Sequence, residues 1–273
     1  MNNSKNLPNP NDWATAQLQR LRDQRPYSNL SDACPNATIE DAYTLQKAFV
    51  NALSDAGDWG SVVGYKAALT APQAQQVMNA TQPVIGVLFS GGERIAKSPV
   101  HTDRPVMLET ELGFRLRQDI ATNQTEAHAG ACVHSVLPMI ELAAPNLEHR
   151  PNAIDLVASN SATYAFIPGT AVAAEWQDAT ERPNLDQVVI SLSQESMLHS
   201  ELAGSIMQGQ WQAFSWLVNE VLRLEYPLRA NHLLMTGSIG ALHPGRPGDY
   251  HATYGSLGSI AFSVYATFEQ ISS

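Results

Sequence analysis

An alternating run from Pro105 to Leu116 constrains the fold of this chain more than any other segment. Its apolar side is formed by Val106, Leu108, Leu112, Phe114 and Leu116. This period of two predicts a strand, with Glu109, Glu111 and Arg115 on its other face. Two neighbouring carboxylates repel each other and are costly to bury, so the pair requires open solvent, an arginine or a metal ion.

A third carboxylate, Glu141, lies inside the apolar stretch from Cys132 to Ala144. That stretch contains no Lys or Arg, so the partner of Glu141 must come from elsewhere in the fold. Oxygen ligands without a nearby Cys or His cluster favour Mg²⁺ or Mn²⁺ over zinc. Glu109, Glu111 and Glu141 are therefore candidate ligands of a hard divalent cation.

A surface reading of the same glutamates is also open. Arg115 and Arg117 share the polar face if the strand continues, and a ladder of ion pairs would then neutralise Glu109 and Glu111 without a metal. A Glu-x-Glu pair in a strand is a weak motif, and its spacing does not separate the two readings. The isolated Glu141 favours the ion.

Charge and hydropathy exclude several classes of protein. The 273 residues are 44% hydrophobic, with 16 basic and 26 acidic side chains and a net charge of -10. Without a basic stripe, nucleic acid is not an expected partner. The segment Met1–Pro8 lacks the apolar core of a signal peptide, and no stretch approaches the roughly 20 apolar residues of a membrane span, so we expect a cytoplasmic protein with no membrane partner. Cys34 and Cys132 are read as structural thiols.

The chain is expected to be an α+β protein in two parts. Residues 1–60 read as a helical segment, with helices over Trp13–Asp23 and Thr38–Leu53, the second opening on a capping signature. Residues 61–273 read as a mixed β-sheet assembly interrupted by one helix with an apolar face of regularly spaced side chains. A Gly- and Pro-rich loop is expected over Gly240–Asp249, and a closing strand over Ile260–Phe268.

Two further segments offer polar groups for chemistry. Lys66 follows a glycine and precedes an apolar stretch, so it is a candidate proton-transfer group or anion anchor; the alternative is an ordinary lysine that reaches solvent from a strand end. The Thr236–Ser238 segment offers hydroxyls and flexible backbone N–H groups that could hold a carboxylate, although such turns usually serve only chain reversal.

The order of these motifs along nearly the whole chain resembles the family of 2-keto-4-pentenoate hydratases and 4-oxalocrotonate decarboxylases, within the fumarylacetoacetate hydrolase-like superfamily. The ordered motifs are Asp41-Ala42-Tyr43-Thr44-Leu45-Gln46, Gly64-Tyr65-Lys66, Gln82-Pro83-Val84-Ile85-Gly86, Glu109-Thr110-Glu111, Pro138-Met139-Ile140-Glu141, Ser159-Asn160-Ser161, Trp216-Leu217-Val218-Asn219, Thr236-Gly237-Ser238 and Gly255-Ser256-Leu257-Gly258-Ser259.

The resemblance implies a roll or sandwich of mixed β-sheets of the fumarylacetoacetate hydrolase type, and a homo-oligomer. It implies Mg²⁺ or Mn²⁺ held by the three glutamates and Lys66 at the substrate. It also implies that Thr236, Gly237 and Ser238 contact the substrate carboxylate, and that Asn160 binds substrate.

Four departures from the family pattern mark a divergent member. Val84 replaces an aspartate typical of the hydratases, and this leans slightly toward the decarboxylases. The other three replacements are Ala144-Pro145-Asn146 for Asp-Ser-Arg, Ala158-Ser159-Asn160 for Ala-Asp-Asn, and Gly209-Gln210-Trp211 for Gly-His-Pro.

The expected activity is a metal-dependent lyase that hydrates a short 2-oxo-4-enoate of the 2-hydroxypenta-2,4-dienoate type in aromatic or related catabolism. The first alternative is a decarboxylase acting on a 2-oxo-enedioate. A C–C hydrolase is less well supported, because neither His243 nor His251 is evidently paired with a glutamate that would activate water. A non-catalytic member that binds a ligand or a pathway enzyme is the alternative from another class of protein.

Overall fold

The structure is a computed structural model that describes residues 7–123, 125–176 and 181–267. The segment Met1–Asn6 used in the signal-peptide argument and the end of the strand expected over Ile260–Phe268 lie outside the described residues.

Seven α-helices begin and end within the described residues, and the first three precede every strand. Helix α3 begins as its capping signature predicts, because the Thr38 hydroxyl accepts from the backbone N–H of Asp41 and the Asp41 carboxylate accepts from that of Thr38. The helices are α1 Pro10–Arg22, α2 Leu30–Ala33, α3 Ile39–Ala56, α4 Pro72–Met78, α5 Glu126–Ala131, α6 Ala153–Ala158 and α7 Gln210–Arg223.

The described residues also form thirteen strands. They are β1 Val62–Ala68, β2 Val84–Phe89, β3 Pro99–Thr102, β4 Met107–Leu116, β5 Val133–Ala143, β6 Ala165–Pro168, β7 Val172–Ala173, β8 Val189–Ser193, β9 Met197–Leu202, β10 Leu233–Met235, β11 Ile239–Pro244, β12 Gly248–Tyr254 and β13 Ser259–Ala266.

These strands form two mixed sheets, which confirms the predicted α+β class. The larger sheet has the order β2-β1-β10-β4-β5-β6, with β11 paired to β4 and β7 paired to β5. The smaller sheet has the order β3-β13-β12-β8-β9. The sheets meet where the Tyr254 hydroxyl of β12 donates to the backbone carbonyl of Met139 in β5. The boundary expected at residue 60 falls in the turn between α3 and β1.

Helix α7 packs its apolar face on the larger sheet, as its residue spacing predicts. Phe114 of β4 stacks on Phe214 with ring centroids 4.7 Å apart and meets Trp211 edge to face at 5.2 Å. The aromatic side chains of this helix therefore belong to the core, and the core fixes β4 from the side that faces α7.

The predicted loop over Gly240–Asp249 is wrong, because the chain there forms β11 and the start of β12. Strand β11 pairs with β4 through Ile239 and His243, with an irregularity between them. Gly240 lies in that irregularity with φ 83°, a left-handed conformation that glycine adopts without strain. The glycine that suggested a loop therefore marks a bulge in a strand.

Candidate metal centre and active site

The three predicted metal ligands converge because of the register between β4 and β5. Glu109 lies directly opposite Glu141 in this antiparallel pair, and Glu111 lies two residues further along the same face of β4. One carboxylate oxygen of each residue lies within 4.8 Å of the others. Glu111 and Glu141 are buried, and Glu109 is partly exposed.

Lys66 enters the same cluster from β1. Its side chain is only 2% exposed, and its Nζ lies 2.6 Å from Oε1 of Glu141. Gly86 pairs with Lys66 across the β1–β2 ladder, and a Cβ on Gly86 would lie 3.2 Å from Cε of Lys66 and 2.5 Å from Oγ1 of Thr163. The glycine therefore leaves the path of the lysine side chain open. Lys66 is the partner that the isolated Glu141 required.

The cluster contains more buried acidic groups than basic ones, and this imbalance shifts their pKa values. Burial, and then the nearby Glu141, raise the pKa of Glu109 to about 8, against the opposing effects of Lys66 and Ser238. Burial, Glu141 and Glu109 likewise raise the pKa of Glu111 well above its usual value. Burial alone would lower the pKa of Lys66, but the carboxylates, Glu141 foremost, raise it overall. One ammonium group serves three carboxylates, so the cluster lacks positive charge.

The carboxylate oxygens also lack hydrogen-bond donors. Oε1 of Glu111 and Oε2 of Glu141 are buried without a hydrogen-bond partner in the described part of the chain. Native proteins rarely leave such atoms unpaired. A divalent cation fits this donor set, because it provides both the missing charge and the missing partner for oxygen ligands. Glu109, Glu111 and Glu141 are the residues that could hold it.

The surface-ladder reading of the glutamates is wrong. Arg115 donates to the backbone carbonyl of Asn231, and Arg117 donates to that of Ala174. The structure places neither guanidinium against Glu109 or Glu111 in any ion pair of the described residues.

A cavity of about 220 Å³ opens beside the carboxylate cluster. Lys66, Glu109, Ser161 and Ser238 supply its polar wall, and most of the remaining wall is apolar. A small molecule in this cavity would contact Lys66 and Glu109 at once. The sequence did not indicate the apolar wall, which comes from five separate segments of the chain.

In the Thr236–Ser238 segment, the first two residues form hydrogen bonds within the protein and the third lines the cavity. The Thr236 hydroxyl is buried and bonds to Gln210 Oε1 at 2.7 Å, and the Gly237 N–H donates to Oε2 of Glu111 at 2.9 Å. Only Ser238 of the three lines the cavity. For Thr236 and Gly237 the structure therefore differs from the predicted contact with substrate: one fixes α7 to the sheet, and the other orients Glu111.

Asn160 also differs from its predicted role in substrate binding. Its side-chain amide accepts from the backbone N–H of Val87 at 2.7 Å and donates to the carbonyl of Val87 at 2.9 Å. Both polar ends of the amide are occupied, and Asn160 is not among the residues that line the cavity. The side chain fixes β2, and with it Gly86, against the turn that follows α6.

Val84 and Gln210, two residues that differ from the family pattern, are both buried in the core. Val84 is fully buried at the start of β2. The Gln210 amide accepts from Thr236 and donates to the carbonyl of Ala203. Gln210 and its bond to Thr236 were not predicted, and a glutamine at the first position of a helix carries no signal that would have indicated them.

No family model matches the chain. It is 28% identical over 257 residues to a 2-keto-4-pentenoate hydratase of Paraburkholderia xenovorans (strain LB400), which covers 90% of this chain and 91% of the relative. The 4-oxalocrotonate decarboxylase from Pseudomonas putida G7, complexed with magnesium and adipate, superposes with a TM-score of 0.83 at 19% identity, over 94% of this chain and 97% of the other.

A more distant structure has the same core fold. The fumarylpyruvate hydrolase from Pseudomonas aeruginosa in complex with Mn²⁺ and pyruvate superposes with a TM-score of 0.56 at 15% identity, over 74% of this chain and 88% of the other. Both superposed proteins hold a divalent metal ion.

The mixed sheets have the fumarylacetoacetate hydrolase-like fold, and the hydratase relatives indicate a lyase-type enzyme. Within that class, the chain is similar in sequence to 2-keto-4-pentenoate hydratases and in structure to a 4-oxalocrotonate decarboxylase. No helix of the described residues is both long and apolar enough to cross a membrane.

Proposed function

We propose that this chain is a divalent-metal-dependent hydratase that converts a short 2-oxo-4-enoate, of the 2-hydroxypenta-2,4-dienoate type, to a 4-hydroxy-2-oxo acid. The observation that carries this proposal is the meeting of three carboxylates, two of them with bare buried oxygens, beside a buried lysine at the wall of a cavity. The 28% identical hydratase supports the choice of reaction.

The proposed metal is Mg²⁺ or Mn²⁺, held by Glu109, Glu111 and Glu141. When bound, it supplies electrostatic stabilisation for negative charge that develops on the 2-oxo oxygen of the substrate. The N–H of Gly237 keeps Glu111 oriented toward the cluster. The magnesium and manganese complexes of the two superposed proteins support this class of ion.

Lys66 is the proposed proton carrier. In the overall reaction C4 gains the hydroxyl of water, while the second proton of water and the enol proton end on C3 and C5. Nζ of Lys66 holds a proton at the cavity wall, 2.6 Å from Glu141, within reach of a substrate that lies against Glu109 and Ser238. A substrate that covers the apolar remainder of the wall would exclude bulk water from that proton.

The decarboxylase is the second candidate, and two observations favour it. The Pseudomonas putida G7 decarboxylase superposes over nearly the whole chain, and Val84 stands where hydratases usually have an aspartate. The finer context is proposed on the same resemblance: a cytoplasmic homo-oligomer in aromatic or related catabolism. A complex with a pathway enzyme is the alternative.

The test offers 2-hydroxypenta-2,4-dienoate and 2-oxohex-3-enedioate to the purified chain with Mg²⁺, and then with a chelator. Loss of the dienol absorbance without gas identifies the hydratase, and CO₂ release identifies the decarboxylase. Activity that persists in the chelator would overturn the metal role. Metal binding without turnover of either compound would favour the non-catalytic reading.

Lys66→Ala tests the proposed proton carrier, with Lys97→Ala as a control because Lys97 is exposed. We expect turnover to fall by about 10²- to 10⁴-fold in Lys66→Ala and to stay unchanged in the control. Full turnover in Lys66→Ala would remove the lysine from the mechanism.

A further inference from the structure

The cavity has two chemically different ends. Lys66, Glu109 and Ser238 lie at the carboxylate cluster, Thr70 and Ser161 add two hydroxyls to the lining, and most of the remaining wall is apolar. The apolar side chains that carry the argument are Leu69, Ala74, Met78, Met107, Leu156 and Leu242. A substrate whose polar head lies at the cluster would therefore place its tail against hydrocarbon.

Helix α4 forms one side of this tail region. Ala71, Ala74 and Met78 have the spacing that places side chains on one helix face, and all three line the cavity. No residue of α4 is buried. The apolar face of this helix is thus still open to water, and a hydrocarbon tail would cover it.

The tail region offers no partner for a second charge. Lys66 is the one cationic side chain among the described residues that line the cavity, and it is already paired with Glu141. Arg104, in a neighbouring surface cleft, bonds instead to Asp103 at 2.8 Å. A carboxylate in the tail would lose water and gain no cation, with only the hydroxyls of Thr70 and Ser161 as side-chain donors beyond the cluster, which strongly disfavours its burial.

We infer that the substrate is a 2-oxo-enoate with an uncharged alkyl tail, that added tail carbons improve binding, and that 2-oxo-enedioates are rejected. This inference rests on the proposed function for the position of the head group. It favours the hydratase over the decarboxylase, because the decarboxylase reaction requires a dicarboxylate substrate.

Binding of unreactive acids tests the inference without turnover. The chain with Mg²⁺ is titrated with 2-oxopentanoate, 2-oxohexanoate, 2-oxoheptanoate and 2-oxoadipate, and affinity is measured by calorimetry and thermal shift. Each added methylene should tighten binding by about fourfold, and 2-oxoadipate should bind at least 100-fold more weakly than 2-oxohexanoate. Equal or tighter binding of 2-oxoadipate, or affinity that does not depend on the tail, would overturn the inference.

Leu242→Arg adds the missing cation at a position that is 47% exposed, where the substitution does not disturb the core. The matched control Leu242→Gln adds polarity without charge. Leu242→Arg should improve binding of 2-oxoadipate relative to 2-oxohexanoate by about tenfold or more, and Leu242→Gln should not. Equal ratios in the two variants would count against the tail lying at this wall.

Failure of this inference can be told apart from failure of the proposed function. Tail-dependent binding with no turnover of any 2-oxo-enoate rejects the hydratase and leaves the inference intact. Turnover of the enoate and the enedioate with similar kcat/KM keeps a lyase and rejects the inference. Absence of binding by every 2-oxo acid rejects both.

Discussion

The two faces of strand β4 differ in whether their polar groups have hydrogen-bond partners. On one face, Glu109 and Glu111 lie in a cluster with unpaired buried oxygens and raised pKa values. On the other face, the buried hydroxyl of Thr110 donates to the carbonyl of Ile239 at 2.8 Å and lies 3.0 Å from Nε2 of His199.

The hydrogen bonds that begin at Thr110 continue toward the surface, and the donor in each of them can be assigned. Because the Thr110 proton goes to Ile239, Nε2 of His199 must donate to the hydroxyl. Nδ1 of a neutral His199 then accepts from Nε2 of His243, 2.9 Å away. Burial and His243 lower the pKa of His199 to about 4, which keeps this ring neutral near pH 7.

This difference separates the roles of the two faces. The Thr110 face is satisfied within the protein and joins β4 to β9 and β11, so it needs no ligand. The glutamate face is incomplete without one. Neighbouring residues of one strand thus serve stability on one side and form, on the other, the site at which we propose that a cation binds.

Glu111→Gln should give the largest effect. The variant keeps the shape of the side chain but removes one ligand charge, so turnover should fall by about 10³-fold or more and stabilisation by added Mg²⁺ should be lost. Because burial and the neighbouring carboxylates raise the pKa of Glu111, the metal-free fold disfavours its ionised form, and the metal-free variant with a neutral amide should melt higher than the parent chain.

Turnover assays and thermal melts with and without Mg²⁺ measure both effects of Glu111→Gln. Glu201→Gln is the control, because Glu201 is exposed on β9 and should change neither quantity. Unchanged stabilisation by Mg²⁺ in Glu111→Gln would show that the ion does not bind at this face of β4.

Gly86→Ala acts on the same face through Lys66. The added Cβ would lie 2.5 Å from Oγ1 of Thr163 and 3.2 Å from Cε of Lys66, so Thr163 must move and Lys66 must shift by a few tenths of an ångström. Because misplacing the proposed proton carrier slows the reaction, turnover should fall by up to about tenfold, and stabilisation by Mg²⁺ should remain. Gly169→Ala is the control, since its Cβ would meet Pro138 at 3.0 Å. An equal loss of turnover in both variants would indicate general crowding.

The sequence predicts the glutamate face better than the Thr110 face, for a physical reason. Isolated carboxylates in apolar runs are costly to bury, so Glu109, Glu111 and Glu141 stand out against their surroundings and predict a shared partner. Thr110, His199 and His243 are ordinary residues in ordinary strands. Their role depends on a contact between the two sheets, in which Thr110 and His199 are 89 residues apart in sequence. Such a contact produces no local sequence pattern.

Other gaps between prediction and structure have the same origin. The capping signature at Thr38 and the spacing of α7 are local, and both predictions are confirmed. Strand β11 was missed because its Gly and Pro content resembles a loop, while its pairing with β4 is non-local. The bonds of Asn160 to Val87 likewise depend on β2, which is distant in sequence, and no motif records them.

Thr110→Val tests the satisfied face. The variant keeps the side-chain shape but leaves the Nε2–H of His199 and the carbonyl of Ile239 without this partner, so unfolding free energy should fall by about 1–3 kcal/mol. Thr102→Val is the matched control: Thr102 is fully buried, and its hydroxyl has no partner among the described residues, so its loss should be near neutral. Chemical denaturation measures both. Equal losses would mean that the Thr110 bonds add nothing specific.

The pH dependence of stability should have opposite signs on the two faces. His199 has a lowered pKa of about 4, so its contribution is present above about 6.5 and is lost as pH falls toward 4. Glu109 has a raised pKa of about 8, so its contribution is present below about 4.5 and is lost as pH rises through 8.

Denaturation of the metal-free chain at pH 5.0 and pH 7.5 separates these contributions. His199→Gln should reduce the gain in stability on going to pH 7.5, by on the order of 1 kcal/mol after discounting for solvent near His243. Glu109→Gln should increase that gain, because it removes a group that loses stability as pH rises. A change of the same sign in both variants would contradict the division of β4 into a satisfied face and an incomplete one, since that division requires one buried group to resist gaining a proton and the other to resist losing it.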